Sequence, residues 1–446
     1  MDVLEKERSQ RKANIEVKEK GFKLPNLRWV IIGLIALATV INYIDRSALA
    51  MMFPGEKGIG KTLGLSKDDY ALILNIFMVA YALGQTFSGK IFDKVGTRFG
   101  YVISIGIWSI SSFCHTFARG IFSLSFFRST LGFGEAGNWP GAAKSNAEWF
   151  PIKERAFAQG LFNAGASLGS VVAPPFIATL FVAFGWQTTF MIVGSLGMTW
   201  IIPWVLINKG TPTKHPWITK EECHYIKSGQ SKADNDETAE AMPLLKILSY
   251  KQAWAVLVSR FFMEPIWWLF VGWMPIYLAD TYGFDVKEIG AFAWIPYVGA
   301  AIGSVAGGYY SGLLIKKGKS TNVARKQTIV IGGLLMLAGL AAVLTLDLGK
   351  SPDLFVYIVA VVLFGFQFAI GNVQTLPSDL FSGKNVGSLA GFGGTIGVIS
   401  VVLMNFLVPK LSAISYNYIF LMIAVFVPLG VGSIFYFARN IKPLQD

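Results

Sequence analysis

The feature that most constrains this chain is a series of long apolar runs that recurs along its 446 residues. A run of roughly 18 or more apolar residues is long enough to cross a bilayer as a helix. Charged residues make up only 15% of the chain, against about a quarter in a soluble protein. The sequence therefore predicts an all-α membrane protein with twelve transmembrane helices. The predicted spans are residues 28–51, 70–92, 99–118, 120–143, 156–183, 186–207, 252–279, 289–315, 325–346, 353–378, 386–411 and 415–438.

A long polar stretch separates the first six spans from the last six. Residues 208–251 are rich in Lys and Glu and contain several prolines, and a short amphipathic helix is predicted near Thr219–Ile226. A six-plus-six layout is typical of transporters built from two pseudo-symmetric halves, with the solute site between the halves at mid-membrane. The predicted organisation is an N-terminal arm (1–27), a first half (28–207), a linker (208–251), a second half (252–438) and a tail (439–446).

The net charge of +12 is a signal of topology. Most of the Lys and Arg residues lie in the arm, the linker, the even-numbered loops and the tail. By the positive-inside rule these segments face the cytoplasm, so both termini are predicted there, in a multi-pass protein of the cell inner (plasma) membrane. The lipid bilayer is thus the expected partner of the basic segments, and nucleic acid is not. The chain is expected to be a monomer.

Cysteine and histidine are too sparse to indicate a cofactor. The two cysteines and three histidines do not cluster with carboxylates at a spacing typical of metal ligands. A nucleophile triad and a cofactor motif are also absent from the sequence. We therefore expect a protein that is not an enzyme and that needs neither a metal nor another cofactor.

Charged side chains inside three of the spans are the strongest functional signal. A charge in the hydrocarbon core costs roughly 2.5–3.5 kcal/mol on insertion scales, so it is retained mainly where it is paired or faces a polar cavity. Spans 1, 4 and 7 are equivalent positions in successive three-helix units, which a pseudo-symmetric transporter points at its central path. The charged residues are Asp45 and Arg46 in span 1, Arg128 and Glu135 in span 4, and Arg260 and Glu264 in span 7.

The spacing of these charges predicts how they pair. Arg128 and Glu135 are seven residues apart, about 10 Å along a helix, which is too far for direct neutralisation. Asp45 is predicted at the depth of Arg128, so the sequence predicts an Asp45–Arg128 ion pair that leaves Arg46 and Glu135 for other roles.

Arg260 and Glu264 differ from the charges of spans 1 and 4 because they can pair within their own helix at i, i+4. We therefore interpret this pair as structural or gating.

An arginine and a protonatable acid in one cavity suit a carrier of organic anions. A guanidinium binds a carboxylate through two parallel hydrogen bonds, and a desolvated carboxylate holds a proton more readily than one in water. The alternative is an intramembrane ion-pair network with a purely structural role. Polar and aromatic side chains at membrane depth add candidate contacts to the substrate: Asn163, Trp268, Asn372 and Gln374.

The loop between spans 2 and 3 carries a recognisable pattern. It reads Gly-Lys-Ile-Phe-Asp-Lys-Val-Gly-Thr-Arg over residues 89–98 and resembles the loop signature of the major facilitator superfamily. Gly89 would allow helices to approach closely and Gly96 a tight turn. Asp93 would accept from a neighbouring helix N-terminus, and Arg98 would anchor to carbonyls or lipid headgroups. We assign this loop a gating or structural role.

Other segments resemble one family within that superfamily, the anion:cation symporters. The resemblance runs from Leu27 to the end of the chain. Within the family the chain is most similar to the hexuronate transporters, which take up glucuronate and galacturonate with protons. The similar segments are Asn42–Arg46, Arg128–Ala136, Glu148–Arg155, Phe162–Gly169, Ala173–Pro175 and Thr375–Phe381.

The resemblance implies roles for individual positions. Arg46 and Tyr81 match positions that contact the substrate, and Asp45 and Arg128 match an ion pair that protonation breaks. Glu135 matches a protonatable acid beside the substrate. The implied activity is import of a sugar acid with protons by alternating access in a major facilitator fold. An aldonate, an aldarate or an unsaturated or keto uronate is the alternative substrate, and a membrane sensor with a transporter-like fold is the alternative from another class.

Overall fold

The computed structural model describes residues 22–228, 244–346, 351–381 and 384–442, and the regular secondary structure in these ranges is helical. The helices form twelve spans. Their bounds are Leu27–Met52 (span 1), Lys67–Cys114 (spans 2 and 3), Ile121–Glu135 with Asn138–Trp149 (span 4), Ile152–Ile207 (spans 5 and 6), Lys251–Tyr282 (span 7), Val286–Phe292 with Ile295–Lys316 (span 8), Thr321–Thr345 (span 9), Pro352–Gln374 with Leu376–Leu380 (span 10), Lys384–Ile414 (span 11) and Tyr416–Phe437 (span 12).

Two glycines turn the chain between spans without a loop. Gly96 joins spans 2 and 3 at φ 76°, ψ 169°, and Gly185 joins spans 5 and 6 at φ 77°, ψ 173°. Side chains with a Cβ scarcely populate this region of backbone conformation. The tight turn predicted at Gly96 is confirmed. Because the second and third spans of each triplet are joined by the same backbone conformation, these corners support an internal repeat of three spans in the first half.

The Gly96 corner gives a stability prediction. We expect Gly96→Ala to lower the free energy of unfolding by about 1–3 kcal/mol, although a Cβ there would meet no described atom within 4 Å. The cost is therefore conformational. Gly106→Ala is the matched control, because Gly106 is helical and has equally open surroundings, so alanine should leave stability unchanged or raise it. Thermal unfolding in detergent compares the two, and equal stabilities would contradict this reading of the corner.

Span 4 departs from its predicted form. The sequence predicted one run over residues 120–143, but the chain forms Ile121–Glu135 and then Asn138–Trp149. Glycines at positions 132, 134 and 137 weaken the helix at this point.

Within the described ranges, nine helices are long and apolar enough to cross a membrane by length and composition. The two short pieces of span 4 do not reach that length, Ala158–Ile207 counts once although it contains two spans, and span 3 is not among the nine.

Large apolar side chains cover the outside of the bundle. Phe122 is 90% exposed, Val305 74% and Tyr309 72%. Exposed large apolar side chains occur on all twelve spans, and apolar surface of this extent is rare on soluble monomers and marks a surface for membrane or protein contact. The outside of the helices is therefore suited to lipid.

The linker defines one side of the molecule. Its helix Lys220–Ser228 docks at the start of span 1, where the backbone N–H groups of Leu27 and Arg28 donate to the Glu222 carboxylate at 3.0 and 3.2 Å. The Arg28 side chain also binds Glu222 at 2.8 Å and Glu154 at 2.9 Å. We call this the linker side of the bundle, and the side of the loop at residues 53–66 the distal side.

The two halves are held together near the distal side. Lys67 at the start of span 2 forms an ion pair with Asp280 at the end of span 7, and Tyr416 of span 12 donates to the same carboxylate. Deeper in the bundle, the Tyr70 hydroxyl donates to the Gly272 carbonyl at 2.5 Å. We call these contacts the distal seal. The Lys67–Asp280 and Tyr70–Gly272 contacts join the two halves, and the Tyr416 bond lies within the second half.

Candidate functional site

A small cavity, with room for about one water molecule, lies between the two halves beneath the distal seal. Spans 1, 2 and 4 line it from the first half, and spans 7 and 11 line it from the second. Two arginines of the first half contribute guanidinium groups to its wall. The lining residues are Arg46, Ala50, Leu74, Phe77, Met78, Arg128, Trp268, Val271, Gly272 and Asn405.

An ion pair between spans 1 and 4 borders this cavity. Arg46 donates from Nε and Nη2 to Glu135 Oε2 at 3.0 and 2.8 Å. Arg46 is 4% exposed and Glu135 is fully buried. A buried ion pair contributes little net stability, but the loss of one partner leaves an uncompensated charge at a cost of about 3–5 kcal/mol. An anion is therefore needed beside Arg46, and in this structure Glu135 supplies it.

Four aromatic rings surround the Arg46 guanidinium. Its Cζ lies 5.2 Å from the ring centre of Tyr43, 5.6 Å from that of Phe77, 5.0 Å from that of Tyr81 and 5.0 Å from that of Trp268. These distances are within the range of cation–π attraction. Tyr81 and Trp268 thus lie where a substrate residue is expected, and Trp268 belongs to the opposite half of the protein.

The predicted ion pair between Asp45 and Arg128 is not present in the described structure. Asp45 Oδ1 accepts from the hydroxyl of Ser112 in span 3, and Arg128 Nη2 donates to the Arg46 carbonyl at 3.0 Å. Adjacent residues on a helix point about 100° apart. Arg46 therefore faces the cavity while Asp45 faces span 3, and the shared depth of Asp45 and Arg128 does not bring them together.

Parts of this charged cluster have no partner within the described protein. Asp45 Oδ2 and the Nε and Nη1 atoms of Arg128 are buried without a hydrogen bond to the described residues. Buried polar atoms in native proteins nearly always have a partner, so each such atom needs an explanation. Arg128, which is a lining residue of the cavity, thus keeps two donor nitrogens free within the described structure, and these suit water or polar atoms of a solute.

Three predicted substrate residues lie away from the cavity lining. Asn372 accepts from Arg325 of span 9 at 3.1 Å. The same arginine donates to Ser311 of span 8 at 3.1 Å and pairs with Asp379 of span 10 at 2.8 Å, so these groups form a network of spans 8, 9 and 10. Asn163 accepts from Gln159 of its own span at 3.1 Å. Gln374 is exposed at the end of its helix. An amide at membrane depth commonly bonds between helices, and these three do not support the substrate role predicted for them.

The pair in span 7 has the predicted geometry. Arg260 donates to Glu264 Oε1 from Nε at 3.0 Å and from Nη2 at 2.6 Å. Arg260 Nη1 also donates to the Ala390 carbonyl of span 11 at 3.1 Å. A Cβ at Gly397 of the same span would come within 2.6 Å of the Glu264 side chain. The two charges therefore neutralise each other within span 7, as predicted. The bond from Arg260 to Ala390 also links span 7 to span 11.

The loop pattern between spans 2 and 3 has a mixed outcome. Arg98 donates to the Val205 carbonyl of span 6 at 3.2 Å, which is the expected type of anchor. The close helix approach predicted at Gly89 is absent, because a Cβ there would meet no described atom within 4 Å. The side chain of Asp93 lies outside the described residues.

Sequence reasoning selected Arg46, Arg128 and Trp268 among the lining residues and missed the others, of which Phe77 and Asn405 contact charged or polar groups. Phe77 lies between two guanidiniums, with its ring centre 5.0 Å from Arg128 Cζ and 5.6 Å from Arg46 Cζ. A phenylalanine in an apolar run carries no signal of this position. The sequence does carry a signal for Asn405, because an amide in an apolar span rarely faces lipid.

The fold and the cavity define a class of protein. Two six-span halves around a central polar cavity are the architecture of secondary transporters, whose solute site lies between the halves. The model of the Major Facilitator Superfamily matches residues 35–405. The chain belongs to the Major Facilitator Superfamily, and it is a transporter rather than an enzyme.

The relatives agree with this assignment. The chain is 32% identical to the hexuronate transporter of Escherichia coli K12, over 94% of this chain and 96% of that protein. It is 35% identical to the galacturonate transporter of Dickeya chrysanthemi, over 71% and 91%. Among solved structures it is similar to a bacterial homologue of the human lysosomal transporter Spinster in an inward-facing, unoccupied conformation. That match has a TM-score of 0.72 at 17% identity and covers 93% of this chain and 98% of the other.

Proposed function

We propose that this protein imports a sugar acid, a hexuronate, together with protons across the inner membrane. The observation that carries the proposal is the Arg46–Glu135 ion pair at the cavity. Arg46 has the geometry to bind a carboxylate, and two relatives are named as transporters of hexuronate and of galacturonate. The linker side is taken as the cytoplasmic side, in keeping with the excess of basic residues there.

Exchange of one carboxylate for another gives the coupling. A substrate carboxylate that approaches Arg46 meets the Glu135 carboxylate already there, and two ionised carboxylates at one site repel each other. A proton on Glu135 removes that repulsion and frees the guanidinium for the substrate. Proton binding and substrate binding therefore favour each other, and such coupling is reciprocal between the two ligands.

The position of the distal seal supports alternating access. In this structure the cavity lies beneath the Lys67–Asp280 ion pair, so a solute from the distal side cannot reach Arg46 until the seal parts. Rocking of one half against the other would open that side and close the linker side. Trp268 of the second half contacts Arg46 of the first, so the substrate site is composed of both moving parts.

The test is uptake into proteoliposomes with a panel of acids, with and without an inward proton gradient. We expect accumulation of glucuronate or galacturonate that at least doubles when the gradient is applied and collapses with a protonophore. The panel includes galactarate and glucarate, because another relative, a probable galactarate/D-glucarate transporter of Escherichia coli K12, is 30% identical over 91% of this chain. Uptake that ignores the gradient would contradict proton coupling, and binding without flux would favour the sensor.

A further inference from the structure

A buried amide lies in the wall of the cavity opposite the arginines. Asn405 belongs to span 11 in the second half, is 2% exposed and lines the cavity with Arg46 and Arg128. It provides the only carboxamide among the described lining residues. The cavity therefore has two guanidinium groups in the first half and an uncharged hydrogen-bonding group in the second.

The Asn405 amide is held by a second asparagine across the interface between the halves. Asn405 Nδ2 donates to Asn75 Oδ1 at 3.0 Å, and Asn405 Oδ1 accepts from Trp273 Nε1 at 3.0 Å. Asn75 Nδ2 donates in turn to the Val402 carbonyl of span 11 at 3.2 Å. An amide has two donor hydrogens and two acceptor lone pairs, so Asn405 keeps one donor and one acceptor beyond these bonds.

Opening of the distal side would separate these amides. Asn75 is in span 2 of the first half and Asn405 in span 11 of the second, so their bond lasts only while the halves are closed at that level. Water can bind the separated amides while that side is open, but a solute that displaces this water and leaves a buried polar group without a partner costs about 1–3 kcal/mol. Hydroxyl groups both donate and accept, so a polyhydroxylated solute can replace the lost amide bond, whereas a plain alkyl acid cannot.

We propose that Asn405 is a specificity-determining residue that binds a substrate hydroxyl, and that Asn75 is the positioning residue that holds its amide when the distal side closes. The inference rests on the proposed function, since it takes the substrate to be a hydroxylated acid. The carboxylate binds at Arg46 and the hydroxylated end of the molecule reaches Asn405. Selection for sugar acids over simple acids then comes from the second half of the protein.

The experiment combines one variant with altered substrates. Competition with radiolabelled glucuronate uptake gives the relative affinity of glucuronate and of each monodeoxy analogue, in wild type and in Asn405→Ala. We expect Asn405→Ala to weaken glucuronate by about 5- to 100-fold and to weaken one deoxy analogue, which lacks the bonded hydroxyl, by less than threefold. Equal losses for glucuronate and all analogues would overturn the proposal, because a structural residue affects every substrate alike.

Two further variants keep the result interpretable. Ser400→Ala is the matched control, because Ser400 is a polar residue of the same span, 3% exposed, and its hydroxyl bonds to the Gly397 carbonyl at 2.7 Å. It should leave every affinity ratio unchanged. Asn405→Ser keeps a donor and an acceptor and replaces Asn405→Ala if that variant fails to fold. We expect Asn405→Ser to give the same pattern of affinity losses, with smaller losses.

The wild-type data separate this inference from the proposed function. If wild type takes up an aldonate or aldarate instead of glucuronate, the hexuronate assignment fails. The deoxy series of that acid then tests Asn405 by the same ratios. If wild type binds plain alkyl acids as well as hydroxylated ones, the inference fails even though transport stands.

Discussion

Arg46→Ala is expected to abolish substrate binding and uptake, with a loss of at least 100-fold in affinity. The substrate carboxylate would lose a charge-assisted pair of hydrogen bonds in a desolvated cavity, and removal of one partner of a buried charge pair costs about 3–5 kcal/mol. Isothermal titration or scintillation proximity binding with purified protein measures the loss directly. Retained affinity in a folded Arg46→Ala protein would remove this residue from the substrate site.

A double variant separates binding from folding. Arg46→Ala alone leaves Glu135 fully buried without its cation, and that uncompensated charge destabilises the protein. Arg46→Ala combined with Glu135→Gln removes both charges, so thermal stability should recover while binding remains absent. Recovery of binding in the double variant would mean that Arg46 only neutralises Glu135 and does not hold the substrate.

Glu135→Gln is expected to uncouple transport from protons while substrate exchange continues. Glutamine imitates the protonated acid, so Arg46 would be free for the substrate at every pH. Coupling requires a group that binds the proton more tightly in one state than in another, and Glu135→Gln removes the acid that competes with the substrate for Arg46. Counterflow should stay within about threefold of wild type, while accumulation driven by a pH gradient should fall to the equilibrium level.

The comparison of counterflow with gradient-driven uptake decides this prediction. Wild-type accumulation in Glu135→Gln would exclude the carboxylate from coupling, whereas loss of both activities would indicate a role in binding or folding. Asp45→Asn, expected to retain counterflow and lose accumulation for the same reason, tests the second buried acid. Ser112→Ala is its control, because it removes the hydroxyl bonded to Asp45 without removing a titratable group.

The fold was largely predictable because its signals are local. Each span is specified by its own apolar run. Because a charged side chain in hydrocarbon is unfavourable, the charges in spans 1, 4 and 7 indicate that these spans face the path between the halves. The turn at Gly96 was also predictable, since only glycine readily adopts that conformation. The break in span 4 was harder to predict, because hydropathy does not register a short glycine-rich interruption in an apolar run.

The partners within the site were less predictable, because they depend on the direction in which each side chain points. Depth along the helix suggested Asp45 and Arg128, but rotation about the helix axis pairs Arg46 with Glu135 instead. Residue type suggested Asn372, which instead binds Arg325 in the second half. The i, i+4 pair of Arg260 and Glu264 was predictable because both residues lie on one helix.

The two glycine corners differ in the charge of the residues around them, and this matters when the chain is inserted into the membrane. The corner at Gly96 stays on the linker side, and Lys94 and Arg98 flank it. The corner at Gly185 must reach the distal side, and residues 181–190 around it contain no charged residue. Each charge carried through hydrocarbon would add roughly 2.5–3.5 kcal/mol. Spans 5 and 6 can therefore enter as a loopless hairpin with an uncharged tip, and added lysines at residue 184 or 187 should delay insertion of that pair during synthesis.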